Sequence, residues 1–403
     1  MTPDSEVRNF GWQFFLLALA SLAITFWVTF RMQPPALNSP SVEAQAYLFE
    51  KARVLFSEKP DLRPAEILSG KTKQLVSLPD NWDTTRPGFE GQGWYQIDFN
   101  LDDGKPLPDA VFIPKAVMNA HAYMNGQWIG GLGRMEGELT RHWNYPYLFQ
   151  FSTDLLKPGR NSLLVQVAGY RNYRSGIGRV WVGKIEQLQP MYESTYRWQV
   201  TGSMLATLVA FCSGLLLLLL FARLFDEKRG FVFLSLAVIA FSIRNTGYFL
   251  DWTPLPHAQW AQLVQSLHAW FAAFYCLFMV RYMKLDWSWT SWVLPGYATV
   301  ITVLTFTAGG ADMQHFTLAL LTPVLPMVFA LNMMLLAKAW KHTNLEAAIL
   351  GCASLLFVLL SLRDLATMTG WVPIESILVS QYSGLLFFIS ACWIIFRRYQ
   401  ALL

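Results

Sequence analysis

Eight runs of about 20 apolar residues constrain the fold of this chain more than any other feature. A run of that length crosses the hydrocarbon core of a bilayer when it is helical. Only 14% of the residues are charged, well below the value of about 25% for soluble proteins. The sequence therefore predicts a multi-pass membrane protein with helices over residues 10–30, 202–223, 231–250, 260–282, 289–308, 316–337, 346–367 and 376–396.

Lysine and arginine are distributed unequally over the short loops between these runs. Alternate loops contain no basic residue, namely DWTPLPHAQW, GGADMQH and TGWVPIES. The other loops and the chain end carry Arg223, Lys228, Arg229, Arg281, Lys284, Lys338, Lys341, Arg397 and Arg398. Because basic loops stay in the cytoplasm, we expect segment 32–196 outside it and both chain ends inside. The first run is then an uncleaved anchor helix, not a signal peptide.

The polar segment after the anchor has the pattern of short strands. GWYQIDFNL (93–101) alternates in polarity, and Asn125-Gly126 between two apolar runs is a strong hairpin signal. Such strands, bounded by turn residues, predict a β-sandwich. Residues 42–57, VEAQAYLFEKARVLFS, instead space their apolar residues three or four apart, which predicts an amphipathic helix leading into the sandwich.

Several kinds of function have no support in the sequence. Basic residues occur singly or in pairs, without the stripe that nucleic acid requires. The six histidines lack zinc-ligand spacing, and Glu136 and Glu138 lie in a glycine-rich loop unlike a glycosidase carboxylate pair. All four cysteines lie inside apolar runs, which excludes a disulfide framework: Cys212, Cys276, Cys352 and Cys392. We expect no metal, cofactor, catalytic residue or nucleic-acid partner.

An ordered set of motifs resembles the galactose-binding-like jelly roll. The motifs are LPDNW (78–82), GWYQIDF (93–99), AHAYMNGQWIGG (120–131) and DLLKPGRNSLLVQV (154–167). A jelly roll preceded by one helix and followed by seven resembles the bacterial seven-transmembrane receptors with diverse intracellular signalling modules. RHWN before a strand and GIGRVWVG (176–183) resemble the subgroup that serves as sensor histidine kinases.

This resemblance implies an inner-membrane receptor that detects a periplasmic ligand, such as a carbohydrate, or a partner protein. Its output would be a cytoplasmic histidine kinase of a two-component system beyond Leu403. The expected partners are the lipid bilayer, the ligand, the signalling module or response regulator, and a second copy of the chain. The alternative is a membrane-anchored carbohydrate-binding protein or transporter component without signalling output. The expected segments are a cytoplasmic N-terminus and anchor (1–31), a periplasmic helical lead-in (32–75), a periplasmic jelly roll (76–196), a seven-helix bundle (197–397) and a cytoplasmic signalling segment beginning at 398–403.

One short run, TRHWNYPYLFQF (140–151), concentrates aromatic and polar side chains. Loops at the rim of a sandwich often carry binding, and aromatic faces edged by polar groups suit sugars. The candidate ligand residues are Arg141, His142, Trp143, Asn144, Tyr145 and Tyr147, with Arg171, Tyr173 and Arg174 as neighbours. The alternative is structural, because the same aromatic residues could close the core or dock onto the membrane helices.

Charged residues inside the apolar runs form a second candidate site. Arg244, Arg363 and Asp364 are all expected in the outer leaflet, where unpaired charge is costly. We expect Arg244 to pair with Asp364, either as a structural tie between helices or as part of a relay that senses movement of the outer domain.

Overall fold

The computed structural model describes residues 3–31, 45–58, 62–70, 73–171, 173–224, 230–307, 324–386, 389–390 and 392–393. Residues 45–183, here named the β-domain, contain all the strands of the described chain. The strands are β1 (Tyr47–Phe49), β2 (Lys51–Ser57), β3 (Gln74–Ser77), β4 (Asp80–Asn81), β5 (Gly91–Asn100), β6 (Ala110–Ile113), β7 (Ala116–Val117), β8 (Asn119–Met124), β9 (Gln127–Leu132), β10 (Tyr147–Gln150), β11 (Arg160–Gly169), β12 (Gly176–Ile177) and β13 (Val180–Gly183).

Long helices precede and follow the β-domain, and two short helices lie within it. The helices are α1 (Pro3–Arg31), α2 (Pro64–Leu68), α3 (Trp82–Thr85), α4 (Ile185–Tyr196), α5 (Gly202–Leu224), α6 (Gly230–Asn245), α7 (His257–Tyr282), α8 (Thr290–Thr307), α9 (Val324–Lys341) and α10 (Leu345–Met368). Among the long helices, α6 packs between α5 and α7, α8 packs on α7, and α10 contacts both α9 and α1.

Two antiparallel sheets make up most of the β-domain. One has six strands in the order β3-β2-β5-β11-β8-β9, and the other has four in the order β1-β13-β6-β10. β5 and β11 pair along their whole length at the centre of the larger sheet. Val111 and Ile113 of the smaller sheet share one hydrophobic core with Ile97 and Val165 of the larger sheet, so the two sheets pack face to face. A small third sheet has the order β4-β12-β7.

The predicted hairpin at Asn125-Gly126 joins β8 and β9. Both residues have positive φ angles, 52° and 88°, as a two-residue hairpin turn requires. The Asn125 side chain also donates to Leu155 O at 2.7 Å and to Asn161 Oδ1 at 2.9 Å. The hairpin prediction is confirmed, and the turn is tied to the neighbouring loop.

The predicted helical lead-in is wrong for the residues that the structure describes. Residues 47–57 form β1 and β2, which belong to opposite sheets. Val54 pairs with Tyr95 of β5 and is 1% exposed. Long-range pairing that buries this face overrides the local helical spacing. The sandwich therefore begins near Tyr47 and not at residue 76, while residues 32–44 lie outside the described chain.

Six helices in the described part of the chain are long and apolar enough to cross a membrane, as a multi-pass protein requires. They are Phe10–Trp27, Ile185–Phe221, Gly230–Tyr248, His257–Tyr282, Val324–Lys341 and Leu345–Thr367. The run at 289–308 forms α8 but is not among these six. Part of the run at 316–337 lies outside the described residues. The run at 376–396 was predicted wrongly at its start, because residues 376–379 are not helical.

A continuous helical path leads from the β-domain into the long apolar helices. α4 covers the smaller sheet, where Leu188 and Met191 pack with Phe112 and Trp181. It continues through a π-helical turn, Arg197–Thr201, directly into α5. π-turns inside α-helices are uncommon and often mark functional positions. The β-domain is therefore attached to the membrane helices by continuous helix and not by a flexible linker.

Candidate functional site

The aromatic run that begins at Arg141 docks onto the ends of the membrane helices. Trp143 Nε1 donates to Gly247 O at 2.9 Å, and Tyr145 Oη donates to Phe249 O at 2.5 Å. The backbone N–H of Arg141 donates to Asp251 O at 3.0 Å. All three acceptors belong to the segment that joins α6 to α7. Of the alternatives left open by the sequence, these contacts match docking onto the membrane helices.

Asn144 occupies the centre of this docking contact. It is 1% exposed, and its Nδ2 donates to Gln199 O at 2.8 Å and to Tyr248 O at 3.1 Å. Gln199 lies within the π-helical turn, and Ser203 Oγ donates to the same carbonyl at 2.6 Å. One buried amide therefore bridges the β-domain, the π-turn and the segment after α6.

His142 and Tyr147 make their hydrogen bonds inside the β-domain, and His142 Nε2 also lies 3.8 Å from Asp251 Oδ2 in the segment before α7. His142 Nδ1 lies 3.1 Å from Asn119 Oδ1, and burial lowers the pKa of this histidine, with Asp251 opposing the shift. Tyr147 is 2% exposed, and its hydroxyl donates to the carbonyls of Ala116 and Met118. Burial raises the pKa of Tyr147 well above its usual range. Tyr147 is a core residue, because the alternation of β10 points it inward.

The three neighbouring candidates do not share one location. Arg171 is half-exposed, with Nε 3.9 Å from Glu90 Oε2. Tyr173 packs its ring 4.9 Å from that of His257. Arg174 is 8% exposed, and burial lowers the pKa of its guanidinium to about 10, with Asp83 opposing the shift. The structure thus divides the predicted ligand residues among the docking contact, the core and a separate surface cleft.

The expected ion pair between Arg244 and Asp364 does not form. Arg244 Nη1 donates to Asn245 Oδ1 at 2.7 Å and to Tyr248 Oη at 3.0 Å. Asp364 instead accepts from the backbone N–H groups of Val379 and Ser380 at 2.9 and 2.7 Å. The reason is that the chain after α10 folds back as a non-helical segment, whose free N–H groups bind the carboxylate.

Arg363 completes this arrangement on α10. Its Nη1 lies 3.1 Å from Asp364 Oδ1 and also donates to the carbonyl of Ile377. Both charged side chains are almost fully buried. Arg363 and Asp364 together therefore hold the fold-back segment, residues 374–380, against α10.

A second contact ties the fold-back segment to the β-domain. Arg179 Nε donates to Glu375 Oε1 at 2.6 Å, and the Arg179 backbone N–H donates to Glu375 Oε2 at 3.0 Å. Glu375 is 1% exposed. The sequence reading missed this pair, because Glu375 lies in a loop noted only for lacking basic residues. Arg179 within GRVWVG was the available signal, as a charge inside an apolar strand segment needs a partner.

Lys115 lies buried where these contacts converge. It is 2% exposed, and its ammonium lies 5.3 Å from the centre of the Trp143 ring. Burial lowers the pKa of Lys115 to about 7; Arg174 and Arg363 lower it further, while Asp364 opposes the shift. The junction between the β-domain and the helices therefore encloses a lysine whose pKa lies near neutral pH.

A cleft of about 450 Å³ lies at the end of the larger sheet, which is within the usual size range of small-molecule sites. Its floor is the paired ends of β5 and β11, where Gln92 faces Ala168 and Gly91 faces Gly169. A Cβ on Gly91 would lie 2.5 Å from Ser57 O, so a side chain is not tolerated there. The walls include Glu58, Glu90, Glu136, Leu139, Tyr170 and Arg171. We name this the rim cleft.

Two contacts link the rim cleft and its wall loop to the first residue of α7. Tyr170, a cleft residue, stacks its ring on His257 at 4.5 Å and accepts from the Leu139 N–H at 2.9 Å. Glu138, in the wall loop, accepts from the backbone N–H of His257 at 2.6 Å. Such a carboxylate satisfies a free N–H at a helix start. A change in the cleft walls thus has a direct route to α7.

Metal chemistry has no support among the residues described. Within those ranges, no group of three or more His, Cys, Asp or Glu side chains could hold a metal ion. The cysteines Cys276 and Cys352 are buried, and all four cysteines are free thiols. The rim cleft and the docking contact remain the candidate functional parts of the described chain.

Comparison with protein-family models and with curated proteins finds no match. Among solved structures, a β-glucuronidase of Ruminococcus gnavus is similar at 16% identity with a TM-score of 0.26, over 34% of this chain and 28% of that one. A calcium-binding mutant of Bacteroides uniformis β-glucuronidase 2 is similar at 21% identity with a TM-score of 0.27, over 34% and 18%. The chain therefore spans less than a third of the length of these enzymes, and similarity of this extent carries no argument about fold or activity.

Proposed function

We propose that this chain is a receptor of the bacterial inner membrane. A periplasmic jelly-roll domain would detect a ligand, and a seven-helix bundle would carry the change to a cytoplasmic histidine kinase of a two-component system. The one-sided distribution of Lys and Arg supports this orientation. The two facing sheets and the six long apolar helices support this architecture.

One observation carries the proposal: the β-domain is joined to the helices at several independent points. The α4–π-turn–α5 path is continuous, the aromatic run docks on the segment after α6, and Arg179 holds the fold-back segment after α10. A domain that merely displayed a binding site would need only a flexible tether. Multiple rigid attachments allow a ligand that prefers one domain position to shift the helices between two arrangements.

The rim cleft is the better candidate for the ligand site than the aromatic run. Trp143, Asn144 and Tyr145 already donate to carbonyls of the helix ends, so a ligand there would have to break those bonds. The carbohydrate expected from the sequence is therefore assigned to the rim cleft, where Glu58 and Glu136 are exposed. The aromatic run becomes the transmitting contact.

Spin-label distances across the expected cytoplasmic side test the proposal. The four native cysteines are replaced by serine, and Ser288→Cys with Lys341→Cys place one label after α7 and one at the last residue of α9. Trp143→Ala combined with Asn144→Ala removes three of the docking bonds, those to Gly247, Gln199 and Tyr248. We expect the label-to-label distance in nanodiscs to change when docking is lost, since the two ends of each helix move together.

The matched control is Gln150→Ala, an exposed residue of β10 near the docking run. Hydrogen exchange at residues 247–251 shows independently whether the domain has undocked. Unchanged label distances despite increased exchange would contradict the receptor proposal. The chain would then be a membrane-anchored binding protein whose helices do not respond to the domain.

A further inference from the structure

The charges lining the rim cleft are unequal. It has three carboxylates, on Glu58, Glu90 and Glu136, and one guanidinium, on Arg171. Arg171 faces Glu90 at 3.9 Å. In the described chain, Glu58 and Glu136 have no cationic partner within ion-pair distance. Two carboxylate groups are therefore free to receive positive charge, and an anionic ligand would be repelled.

The uncharged residues that line the rim cleft further restrict the class of ligand that it can bind. Apolar contact comes from a few residues, chiefly Met135, Leu139 and Tyr170, so a large apolar ligand would remain mostly uncovered. Gln92 is 4% exposed, and both atoms of its amide are already hydrogen-bonded. Its Nε2 donates to Met135 O at 3.1 Å, and its Oε1 accepts from Gln166 Nε2 at 2.7 Å. The floor is thus polar, and the volume of about 450 Å³ accommodates a hydroxylated ligand of at least monosaccharide size.

We propose that the rim cleft binds a small ligand bearing a primary ammonium group beside hydroxyl groups, and that binding acts on α7 through Tyr170 and Glu138. An amino sugar and an amino alcohol carry both groups, and the ethanolamine headgroup of a lipid shares the primary ammonium, with its oxygen esterified to phosphate. The carboxylates of Glu58 and Glu136 receive the ammonium. The inference about α7 rests on the proposed receptor function, whereas the inference about binding does not.

The position of the cleft makes a lipid headgroup a realistic source. Tyr170 is stacked on His257, the first residue of a membrane helix. Trp252, in the loop before that helix, is 61% exposed, as expected of a tryptophan at the level of the headgroups. One stacked pair of rings, Tyr170 on His257, therefore separates the cleft from the start of α7.

Matched pairs of probes test the ammonium requirement with the full chain in detergent micelles. D-glucosamine is compared with D-glucose, and ethanolamine with ethylene glycol, because each pair differs chiefly by an ammonium in place of a hydroxyl. A ligand that binds only the folded state raises the unfolding temperature. We expect the ammonium compound of at least one pair to bind at least tenfold more tightly than its partner, and added salt to weaken that binding.

Glu58→Gln and Glu136→Gln keep the size of each side chain and remove its charge. Each is expected to weaken binding of the ammonium compounds about tenfold, the effect of losing one charged contact. Glu186→Gln makes the same change on the exposed surface of α4 and should leave binding unaltered. Measurable binding of both members of each pair with equal affinity, or full affinity in both glutamine variants, would overturn the proposal.

Nanodiscs separate the two sources of the ligand. If the headgroup is the ligand, phosphatidylethanolamine should raise the unfolding temperature above that in phosphatidylglycerol alone, and the combined Glu58→Gln and Glu136→Gln variant should lose the difference. If the ligand is free, only the soluble ammonium probes should have this effect. Either outcome supports the ammonium site, and absence of both overturns it.

Glu138→Ala distinguishes failure of the site from failure of the receptor proposal. Glu138 contacts the His257 N–H but is not part of the cleft lining. We expect this variant to bind the ammonium probe normally, while the probe changes the distance between labels at positions 288 and 341 less than in the parent labelled chain, because only the contact of Tyr170 with His257 remains. Binding without any distance change in the parent labelled chain would leave the site standing and contradict the signalling role of α7.

Discussion

Arg179 of the β-domain and Glu375 of the fold-back segment form a buried ion pair between positions 196 residues apart. The carboxylate of Glu375 is 1% exposed, whereas the side chain of Arg179 is 22% exposed and also lies 3.6 Å from Glu50. The two residues therefore differ in the surroundings that each would keep if its partner were removed. Arg179 retains water and a second carboxylate, but Glu375 would retain a charge in an enclosed site.

Removing Arg179 should thus cost more stability than neutralising Glu375. Arg179→Met strands a buried carboxylate, for which a loss of about 3 to 5 kcal/mol is expected. Glu375→Gln should cost about 1 to 2 kcal/mol, the size of a weakened hydrogen bond. Glu50→Gln, which removes the exposed partner, should change stability by less than about 1 kcal/mol. Unfolding in detergent gives the order, and equal losses for the first two variants would contradict this asymmetry.

Lys115 should make stability depend on pH. Its pKa is 10.5 in an unfolded chain and about 7 in the folded protein. Folding between these values releases a proton, so the cost of burying Lys115 grows as pH falls from 10.5 to about 7 and is constant below that. Lys115→Met removes this cost. The free energy of unfolding of the variant should therefore rise relative to that of the wild type, and this rise should be about 2 kcal/mol larger at pH 7 than at pH 9.

The comparison uses unfolding temperatures of both proteins across that pH range. Lys157→Met, an exposed lysine of the β-domain, serves as the control and should show no such trend. A constant difference between Lys115→Met and wild type would mean that Lys115 keeps its ordinary pKa in the folded protein.

Gln199 should tolerate an apolar replacement. Its side chain is fully buried in the π-turn, and neither amide atom has a hydrogen-bond partner. Replacing such a group with an apolar one of similar shape is neutral or stabilising, so Gln199→Leu should keep or raise the unfolding temperature. Gln381→Leu is the matched comparison, because Gln381 Nε2 donates to Ser203 Oγ at 2.7 Å. Loss of that hydrogen bond should lower the free energy of unfolding by about 1 kcal/mol. A larger loss at Gln199 than at Gln381 would show that its amide is bonded.

Arg244 and Asp364 should behave independently. Their hydrogen bonds go to different elements, Arg244 to Asn245 and Tyr248 and Asp364 to the fold-back segment. In a double-mutant cycle of Arg244→Ala and Asp364→Ala, the losses should add to within about 0.5 kcal/mol. The cycle of Arg363→Ala and Asp364→Ala should be non-additive, since those side chains lie 3.1 Å apart. Strong coupling in the first cycle would restore the ion pair expected from the sequence.

Patterns that depend on neighbouring residues were predictable from the sequence. Asn125-Gly126 specifies its own turn, because these residues readily adopt positive φ angles. The long apolar runs likewise identify membrane helices without knowledge of their partners. In the aromatic run, composition indicated that Trp143 and Tyr145 would make contacts, and docking was one of the stated alternatives.

Features that depend on distant partners were not predictable in the same way. Residues 47–57 have helical spacing of their apolar side chains, yet pairing of Val54 with Tyr95 makes them a strand. Asp364 was assigned to Arg244 because both lie at similar depth, and depth does not specify which side chain faces which. Nothing local to Glu375 indicates that Arg179 returns to meet it, so this contact needed the three-dimensional fold.

The π-turn sets the size of the step by which α5 can rotate and shift relative to α4. Such a turn holds one residue more than an α-helical turn, so losing it would rotate α5 by about 100° relative to α4 and shift it by about 1.5 Å. That rotation is the angle between consecutive residues, and it would bring Leu205, now 54% exposed, to the place of Ala206, now 2% exposed. Leucine does not fit where alanine packs without rearrangement of the neighbouring helices. Under the proposed function, α5 would therefore respond to the β-domain by a whole step or not at all, and the response would be discrete and not graded.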